Sequence, residues 1–250
     1  MTVAHRPVDG ADCVLLLSGG MDSAALAHWV RPAATLYIDY GQRPADAEER
    51  AATAIANALG IPIDILRIDL SVLGAGLLLA ETPTEFKVEA PAEGSAKAEA
   101  DDRSRSGAEA VSPSPEWWPL RNQLLCSLAA AWALSPRAPS GTPIRRVLTA
   151  TVAGDGSRHV DGTPAFYQAM DAVTAMQEGN IRVVAPAAGL SAAELLRASG
   201  ITEDVLGWTH SCHRGVVPCA ACPGCWKRSD VLTEASMLGH FSADQQVDIG

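Results

Sequence analysis

Residues 14–23 of the chain read VLLLSGGMDS, and this stretch decides the fold. The apolar VLLL half predicts a buried strand, and the residues from Met21 onward predict a helix, with a Ser/Gly turn between them. Glycines let a backbone approach a ligand closely, and a helix start presents unpaired N–H groups to an anion. We therefore expect a phosphate group at this turn. Ser18 and Ser23 would add hydroxyl donors, and Asp22 would hold a metal ion or cap the turn.

The turn differs from a Walker A loop, because no Gly-Lys-Ser/Thr follows its glycines. The pattern S-G-G-x-D-S instead resembles the PP-loop of ATP pyrophosphatases, which cleave ATP between the α and β phosphates. An ordinary strand–turn–helix connection is the alternative interpretation. Two adjacent glycines flanked by Ser and Asp, directly after four apolar residues, favour the phosphate site.

Bulk composition limits the class of protein. The chain has 250 residues, of which 48% are hydrophobic, enough for one large domain with or without a small appendage. A formal net charge of −10 argues against non-specific binding of nucleic acid, which needs clustered Lys and Arg. We find neither a run of apolar residues long enough for a membrane span nor a signal-peptide core, so the sequence predicts a cytoplasmic protein.

Strand-like and helix-like segments alternate along the chain. Apolar strands are predicted at 13–17, 35–38, 63–68, 145–151 and 181–184, and helices at 23–30, 45–59, 123–134, 164–177 and 191–198. This rhythm predicts an α/β fold with a doubly wound parallel sheet and helices on both faces. Ser18 and Asp39 follow the first two strands, and ligands bind at the carboxyl ends of such strands. We therefore expect Ser18 and Asp39 to share one crevice.

Two segments interrupt or follow this pattern. Residues 84–116 are rich in Ala, Glu, Ser and Pro, which predicts a disordered surface insertion; a lid that orders over substrate is the alternative. Residues 1–205 are expected to form the nucleotide-binding domain. Residues 206–250 are expected to form a smaller lobe that binds zinc.

Four of the six cysteines fall within 14 residues of that lobe. They are Cys212, Cys219, Cys222 and Cys225. Four thiolates at this spacing predict a tetrahedral zinc site of the structural kind, with an Fe–S cluster and thiol redox chemistry as the alternatives. Pro218, Pro223 and Gly224 are expected to form tight turns between the ligands. Cys13 and Cys126 are expected to be buried apolar residues.

Three separated features agree in order along the chain: the SGGMDS loop, the sequence DYGQR at 39–43 and the four-cysteine cluster. Together with PLRN at 119–122, they resemble the 7-cyano-7-deazaguanine synthase family of queuosine precursor synthesis, within the PP-loop superfamily. The similarity extends from about residue 13 to residue 230. The resemblance implies an adenine-nucleotide α-hydrolase-like (HUP) sheet and a zinc ion near the carboxyl terminus.

The resemblance also implies an activity and a set of functional residues. Enzymes of this family use ATP and Mg²⁺ to adenylate the carboxylate of 7-carboxy-7-deazaguanine, and ammonia displaces AMP to give an amide and then a nitrile. The implied nucleotide-binding residues are Leu17, Ser18, Gly19, Gly20, Met21, Asp22, Ser23, Ala24 and Tyr40. The implied catalytic residues are Asp22, Ser23, Asp39 and Arg121, and the substrate-binding residues are Gln42, Arg121, Asn122 and Asp161. The resemblance further implies a homodimer.

The chain departs from the family pattern at two places. Gly162 and Thr163 stand where the family has a cysteine and an arginine, and Ala192 stands near the place of a family lysine. These changes leave three alternatives to nitrile formation open. In the first alternative, the chain conjugates the deazaguanine acid to another amine, such as one on a protein. In the second, it binds nucleotide without catalysis, and its zinc lobe contacts a protein partner. A tRNA-modifying enzyme is the third, and the acidic charge argues against it.

Overall fold

A parallel five-stranded sheet forms the centre of the protein. The structure is a computed structural model that describes residues 7–73, 76–78, 118–141 and 143–237. The predicted insertion at 84–116 lies outside these residues. The strands are β1 (Cys13–Leu16), β2 (Ala34–Asp39), β3 (Ile63–Arg67), β4 (Arg146–Leu148) and β5 (Arg182–Val184). Their order across the sheet is β3-β2-β1-β4-β5, and every neighbouring pair is parallel.

Helices connect these strands and cover both faces of the sheet. They are α1 (Met21–Val30), α2 (Ala45–Leu59), α3 (Arg121–Ala133), α4 (Pro164–Ala175), α5 (Ala192–Ser199), α6 (Glu203–Gly207) and α7 (Pro223–Glu234). The predicted doubly wound α/β fold is confirmed. Strand order reverses between β1 and β4, because the chain leaves β1 toward β2 on one side and returns to β4 on the other. A switch point of this kind opens a crevice outside the carboxyl ends of the strands.

Alternating side chains of β1 divide the core into two layers. Leu15 points to the layer that contains Leu26 of α1, Ile55 of α2 and Leu195 of α5. Its neighbour Val14 points to the opposite layer, formed with α3 and α4. Because both faces are buried, β1 is a continuous apolar run with no polar alternation, as expected for the middle of a parallel sheet.

Local sequence signals place several helix ends where they were expected. Gly60 ends α2 in the left-handed conformation, with φ of 64°. Ser191 begins α5 with a reciprocal capping box, in which its side chain and that of Glu194 each accept a backbone N–H. The thiols of Cys13 and Cys126 are buried, also as expected.

The carboxyl-terminal lobe contains structure that the sequence patterns did not indicate. The prediction of tight turns at Pro223 and Gly224 is wrong, because both residues belong to the first turn of α7. Proline is tolerated at the first helical position, where its missing N–H would have no intrahelical partner. Val231 and Leu232 of α7 pack into the core layer of α1 and α5. The lobe is therefore attached to the main sheet by buried apolar contacts.

Candidate active site

The turn between β1 and α1 has the geometry that its glycines predict. Gly19 has a φ of 79°, and a Cβ atom at this position would lie 2.6 Å from the carbonyl oxygen of Glu48 and 2.9 Å from Cβ of Ala51. A side chain would therefore clash with the backbone of α2, which leaves glycine as the residue that fits. The close contact brings the first turn of α1 against the first turns of α2.

The residues at the start of α1, Gly20 to Ser23, line the crevice. Gly20 precedes the helix in an extended conformation and supplies no side-chain cap. The first N–H groups of a helix have no intrahelical acceptor and carry partial positive charge. The hydroxyl oxygens of Ser18 and Ser23 lie 3.1 Å apart, and Ser23 also donates to the carbonyl of Gly20 at 3.0 Å. These contacts fix the conformation of the turn at residues 18–23, which we call the cradle.

A cavity of about 370 Å³ lies at the switch point, next to this turn. Its walls come from the carboxyl ends of β1, β2 and β4, the start of α3, and the carboxyl-terminal lobe. Predicted site residues that line it are Leu17, Ser18, Gly20, Met21, Asp22, Ser23, Tyr40, Gln42, Arg121 and Asn122. The structure thus brings most of the predicted nucleotide and substrate residues to one place.

Three charged groups meet at one end of the cavity. The Lys227 ammonium lies 2.9 Å from Oδ2 of Asp22 and 3.3 Å from Oδ1 of Asp155. Oδ1 of Asp22 is buried and has no hydrogen-bond partner among the described residues. Burial raises the pKa of Asp22, and the charge of Lys227 opposes that rise. A buried carboxylate oxygen without a partner among the described residues is of the type that Mg²⁺ binds.

A second polar network closes the wall beside β2. The Gln42 amide donates to the Tyr37 hydroxyl at 2.9 Å and to Oε2 of Glu48 at 2.8 Å, while its oxygen accepts the N–H of Tyr40 at 2.9 Å. Burial raises the pKa of Glu48, and the bond from Gln42 opposes that effect. Gln42 is itself almost fully buried. Its amide therefore orders the wall, and its role in binding substrate stays a prediction.

Aromatic and cationic groups meet next to this network. The rings of Tyr40 and Trp118 are 4.9 Å apart and nearly perpendicular. Burial raises the pKa of Tyr40 to about 12, against the opposing charge of Arg121. Arg121, the first residue of α3, lies near Tyr40 and bonds weakly to Asn122 at 3.4 Å. The site therefore offers a guanidinium beside a neutral phenol.

Four predicted site residues do not line the cavity: Gly19, Ala24, Asp39 and Asp161. Asn122 donates through its side chain to the carbonyl of Asp161 at 2.9 Å and through its backbone to the Asp161 carboxylate at 3.3 Å. Asp39 accepts the N–H of Gly41 at 2.9 Å and is not part of the cavity wall. Ala24 donates its N–H to Gly20 inside α1. The roles assigned to Asp39 and Asp161 stay predictions.

The four cysteines of the lobe form one cluster. The sulfur atoms of Cys212, Cys219, Cys222 and Cys225 all lie within 4.8 Å of one another. A tetrahedral zinc ion with Zn–S bonds of about 2.3 Å separates its sulfur ligands by about 3.8 Å, so the cluster could hold such an ion. Burial raises the pKa of Cys212, but backbone donors, led by the N–H of Arg214, outweigh it and bring the pKa to about 7. Backbone donors thus favour the thiolate form that metals bind.

A backbone hydrogen bond joins this cluster to the phosphate cradle. The N–H of His210 donates to the carbonyl of Gly19 at 2.9 Å, two residues before the first cysteine. The His210 ring contacts the carbonyl of Cys212 at 3.1 Å. His210 therefore connects the cysteine cluster to the turn between β1 and α1.

Sequence patterns missed Lys227, Asp155 and Glu48 as site residues. Lys227 and Asp22 are separated by 205 positions, so no local spacing could relate them. A weak signal existed for Lys227, which directly follows the cysteine cluster. Glu48 carried no sequence signal of a site residue, because acidic residues are common in the first turn of a helix.

The fold and the cavity are typical of nucleotide-binding proteins. A parallel α/β sheet has a glycine-rich turn at its switch point, and a lobe with four clustered thiols adjoins it. Comparison with known proteins narrows this class. A family model described as "Queuosine biosynthesis protein QueC" matches residues 12–236. The chain therefore belongs to the QueC family. Among the described residues, no helix is both long and apolar enough to cross a membrane.

Curated relatives carry a consistent name. A 7-cyano-7-deazaguanine synthase of Acidobacterium capsulatum is 31% identical over 233 residues, which cover 90% of this chain and 93% of the relative. One from Pseudomonas aeruginosa is 30% identical over 239 residues, covering 90% and 94%. The 7-cyano-7-deazaguanine synthase 1 of Desulfitobacterium hafniense is 25% identical over 245 residues, covering 93% and 96%.

Proposed function

We propose that this chain is an ATP-dependent C–N ligase that converts 7-carboxy-7-deazaguanine and ammonia into the amide and then the nitrile. The observation that carries the proposal is the anion cradle at Gly19, which meets the buried carboxylate of Asp22 at the sheet's switch point. Membership of the QueC family and the name that its relatives share support the choice of substrate.

The reaction requires activation of a poor electrophile. A carboxylate oxygen of the substrate attacks the α-phosphorus of ATP, and pyrophosphate leaves to give an acyl-adenylate. Ammonia then attacks the acyl carbon, AMP leaves with its electron pair, and a proton is lost to give the amide. A second ATP activates the amide oxygen in the same way. Departure of AMP and loss of both amide N–H protons then leave the nitrile.

The residues of the cavity suit these demands. The backbone donors at the start of α1, with Ser18 and Ser23, would bind the phosphates. Asp22 would hold Mg²⁺, which supplies charge neutralisation to the pyrophosphate leaving group. Arg121 would bind the substrate carboxylate and stabilise the negative charge that develops there. The protein's contribution is then to align two anions that repel each other in water.

We further propose that the metal in the thiolate cluster is zinc in a structural role. All four tetrahedral positions would be filled by protein sulfurs, which leaves no open position for a substrate. The contact between His210, two residues before Cys212, and Gly19 of the cradle is a backbone hydrogen bond. Zinc would therefore act on catalysis by fixing the lobe.

Incubation of the protein with ATP, Mg²⁺, 7-carboxy-7-deazaguanine and ammonium, followed by mass spectrometry, tests the proposal. We expect AMP, pyrophosphate and a nitrile product that has lost one water relative to the amide. Matched reactions without the deazaguanine acid, and without ammonium, should yield no such product. Accumulation of the amide alone would show that the second activation does not occur.

Two other outcomes would contradict the proposal. AMP formed only with a primary amine in place of ammonium would identify a conjugating enzyme. ATP that binds in calorimetry without any turnover would identify a nucleotide-binding module. The names of the relatives favour the nitrile over both outcomes.

A further inference from the structure

The carboxyl-terminal lobe places a lysine inside the nucleotide cavity. Lys227 is the only lysine among the residues that the structure describes. It lines the same cavity as Ser18 and Gly20, and its ammonium lies between the carboxylates of Asp22 and Asp155. Its side chain is 36% exposed, so it reaches solvent from a mostly enclosed position.

The charges of Asp22 and Asp155 around Lys227 indicate a role for this lysine beyond an ion pair. Asp22 and Asp155 carry two negative charges at the end of the cavity where the phosphates would lie, and Lys227 offsets one of them. A polyanion binds poorly beside uncompensated carboxylates, because like charges at short range repel. A lysine ammonium on a flexible four-carbon stem can leave one carboxylate for a phosphate oxygen with little movement of its backbone.

The position of Lys227 depends on the cysteine cluster. Helix α7 begins directly after Cys222, and Cys225 lies in its first turn, two residues before Lys227. A metal held by these sulfurs would fix the start of the helix, and so the direction from which the lysine enters the cavity. The bond from His210 to Gly19 fixes the other side of the lobe on the cradle.

We propose that Lys227 contacts the phosphate chain of the bound nucleotide, so that the metal-binding lobe completes the nucleotide site. The inference rests on the proposed function, because it assumes that the cradle at Gly19 receives the phosphates. It assigns a phosphate-binding residue that lies more than 200 positions from the cradle in sequence.

Calorimetric titration of the zinc-loaded protein with ATP and Mg²⁺, and separately with adenosine, tests this contact. Lys227→Met should weaken ATP binding about ten- to a hundredfold, the usual worth of a hydrogen bond to a charged group, and leave adenosine binding unchanged. Arg145→Met is the matched control, since it removes one exposed cation that lies outside both the cavity and the cysteine cluster. It should leave both affinities and the zinc content unchanged.

A double variant separates direct contact from neutralisation of the carboxylates. If Lys227 only offsets Asp155, then Asp155→Asn combined with Lys227→Met should restore ATP affinity. If Lys227 contacts phosphate, the double variant should stay within a few-fold of Lys227→Met. Restored affinity would overturn the proposal in favour of a structural ion pair.

The outcomes also separate this proposal from the proposed function. A wild-type protein that binds ATP no better than adenosine would contradict the phosphate cradle, and with it both proposals. A wild-type protein that prefers ATP, together with a Lys227→Met variant that keeps the full preference, would overturn the role of Lys227 alone. Zinc content measured by elemental analysis should be equal in all variants, which shows that the cluster is intact.

Discussion

Gly19→Ala tests whether the cradle is as closely packed as the structure shows. Alanine at φ of 79° costs about 1–2 kcal/mol in backbone strain, and its Cβ would lie 2.6 Å from the Glu48 carbonyl. The neighbours are backbone and a helix methyl group, which cannot rotate away, so overpacking adds about 1–3 kcal/mol. We expect the free energy of unfolding to fall by about 2–5 kcal/mol, and ATP binding to weaken because the loop must shift.

Gly60→Ala is the matched control for this change. Gly60 has a similar φ of 64°, but a Cβ there meets nothing within 4 Å. We expect Gly60→Ala to lower the free energy of unfolding only by the backbone strain of about 1–2 kcal/mol, and to leave ATP binding unchanged. Urea denaturation gives the free energies, and calorimetry gives the affinities. If Gly19→Ala were as stable as Gly60→Ala and bound ATP normally, the close approach of the cradle to α2 would be refuted.

Three further changes probe the rest of the molecule. Asp22→Ala should abolish AMP production while the circular dichroism spectrum stays that of the wild type; residual AMP near the wild-type rate would exclude Asp22 as the Mg²⁺ ligand. Cys222→Ser should lower both zinc content and melting temperature, and a variant that kept both would contradict a structural metal. Asp64 accepts hydrogen bonds from Arg137 and Trp132, and the bond from Arg137 holds the pKa of Asp64 below its ordinary value. That contribution is present above the ordinary carboxyl pKa and is lost as pH falls through the lowered one. Asp64→Asn should therefore destabilise the protein by about 1 kcal/mol near neutral pH, a value limited by solvent screening, and by less in acid, as followed by tryptophan fluorescence. An equal loss at both pH values would show that the charge of Asp64 contributes nothing.

The sheet and the cradle could be predicted because their signals are local. Four apolar residues before a Ser/Gly turn determine both a buried strand and the start of a helix, and the structure places β1 and α1 accordingly. The capping box at Ser191 is equally local. Each of these features depends on residues close together in sequence, namely residues 14–23 for β1 and α1 and residues 191–194 for the capping box.

The acidic and basic groups around the cradle could not be predicted, because tertiary packing brings them together. Asp155 follows β4, and Lys227 lies on α7, a helix that the Pro-Gly pair after Cys222 concealed. Asp39 was placed in the crevice because it ends β2, but its carboxylate accepts the N–H of Gly41 within its own turn. A strand end fixes where a residue lies, while local hydrogen bonds decide where its side chain points.

A crystal structure of the protein with Mg²⁺ and a non-hydrolysable ATP analogue would show where the triphosphate binds. We expect phosphate oxygens within hydrogen-bond distance of the backbone N–H groups at the start of α1. A triphosphate bound away from Gly19 and Ser23, or a cradle left empty at saturating analogue, would contradict this expectation.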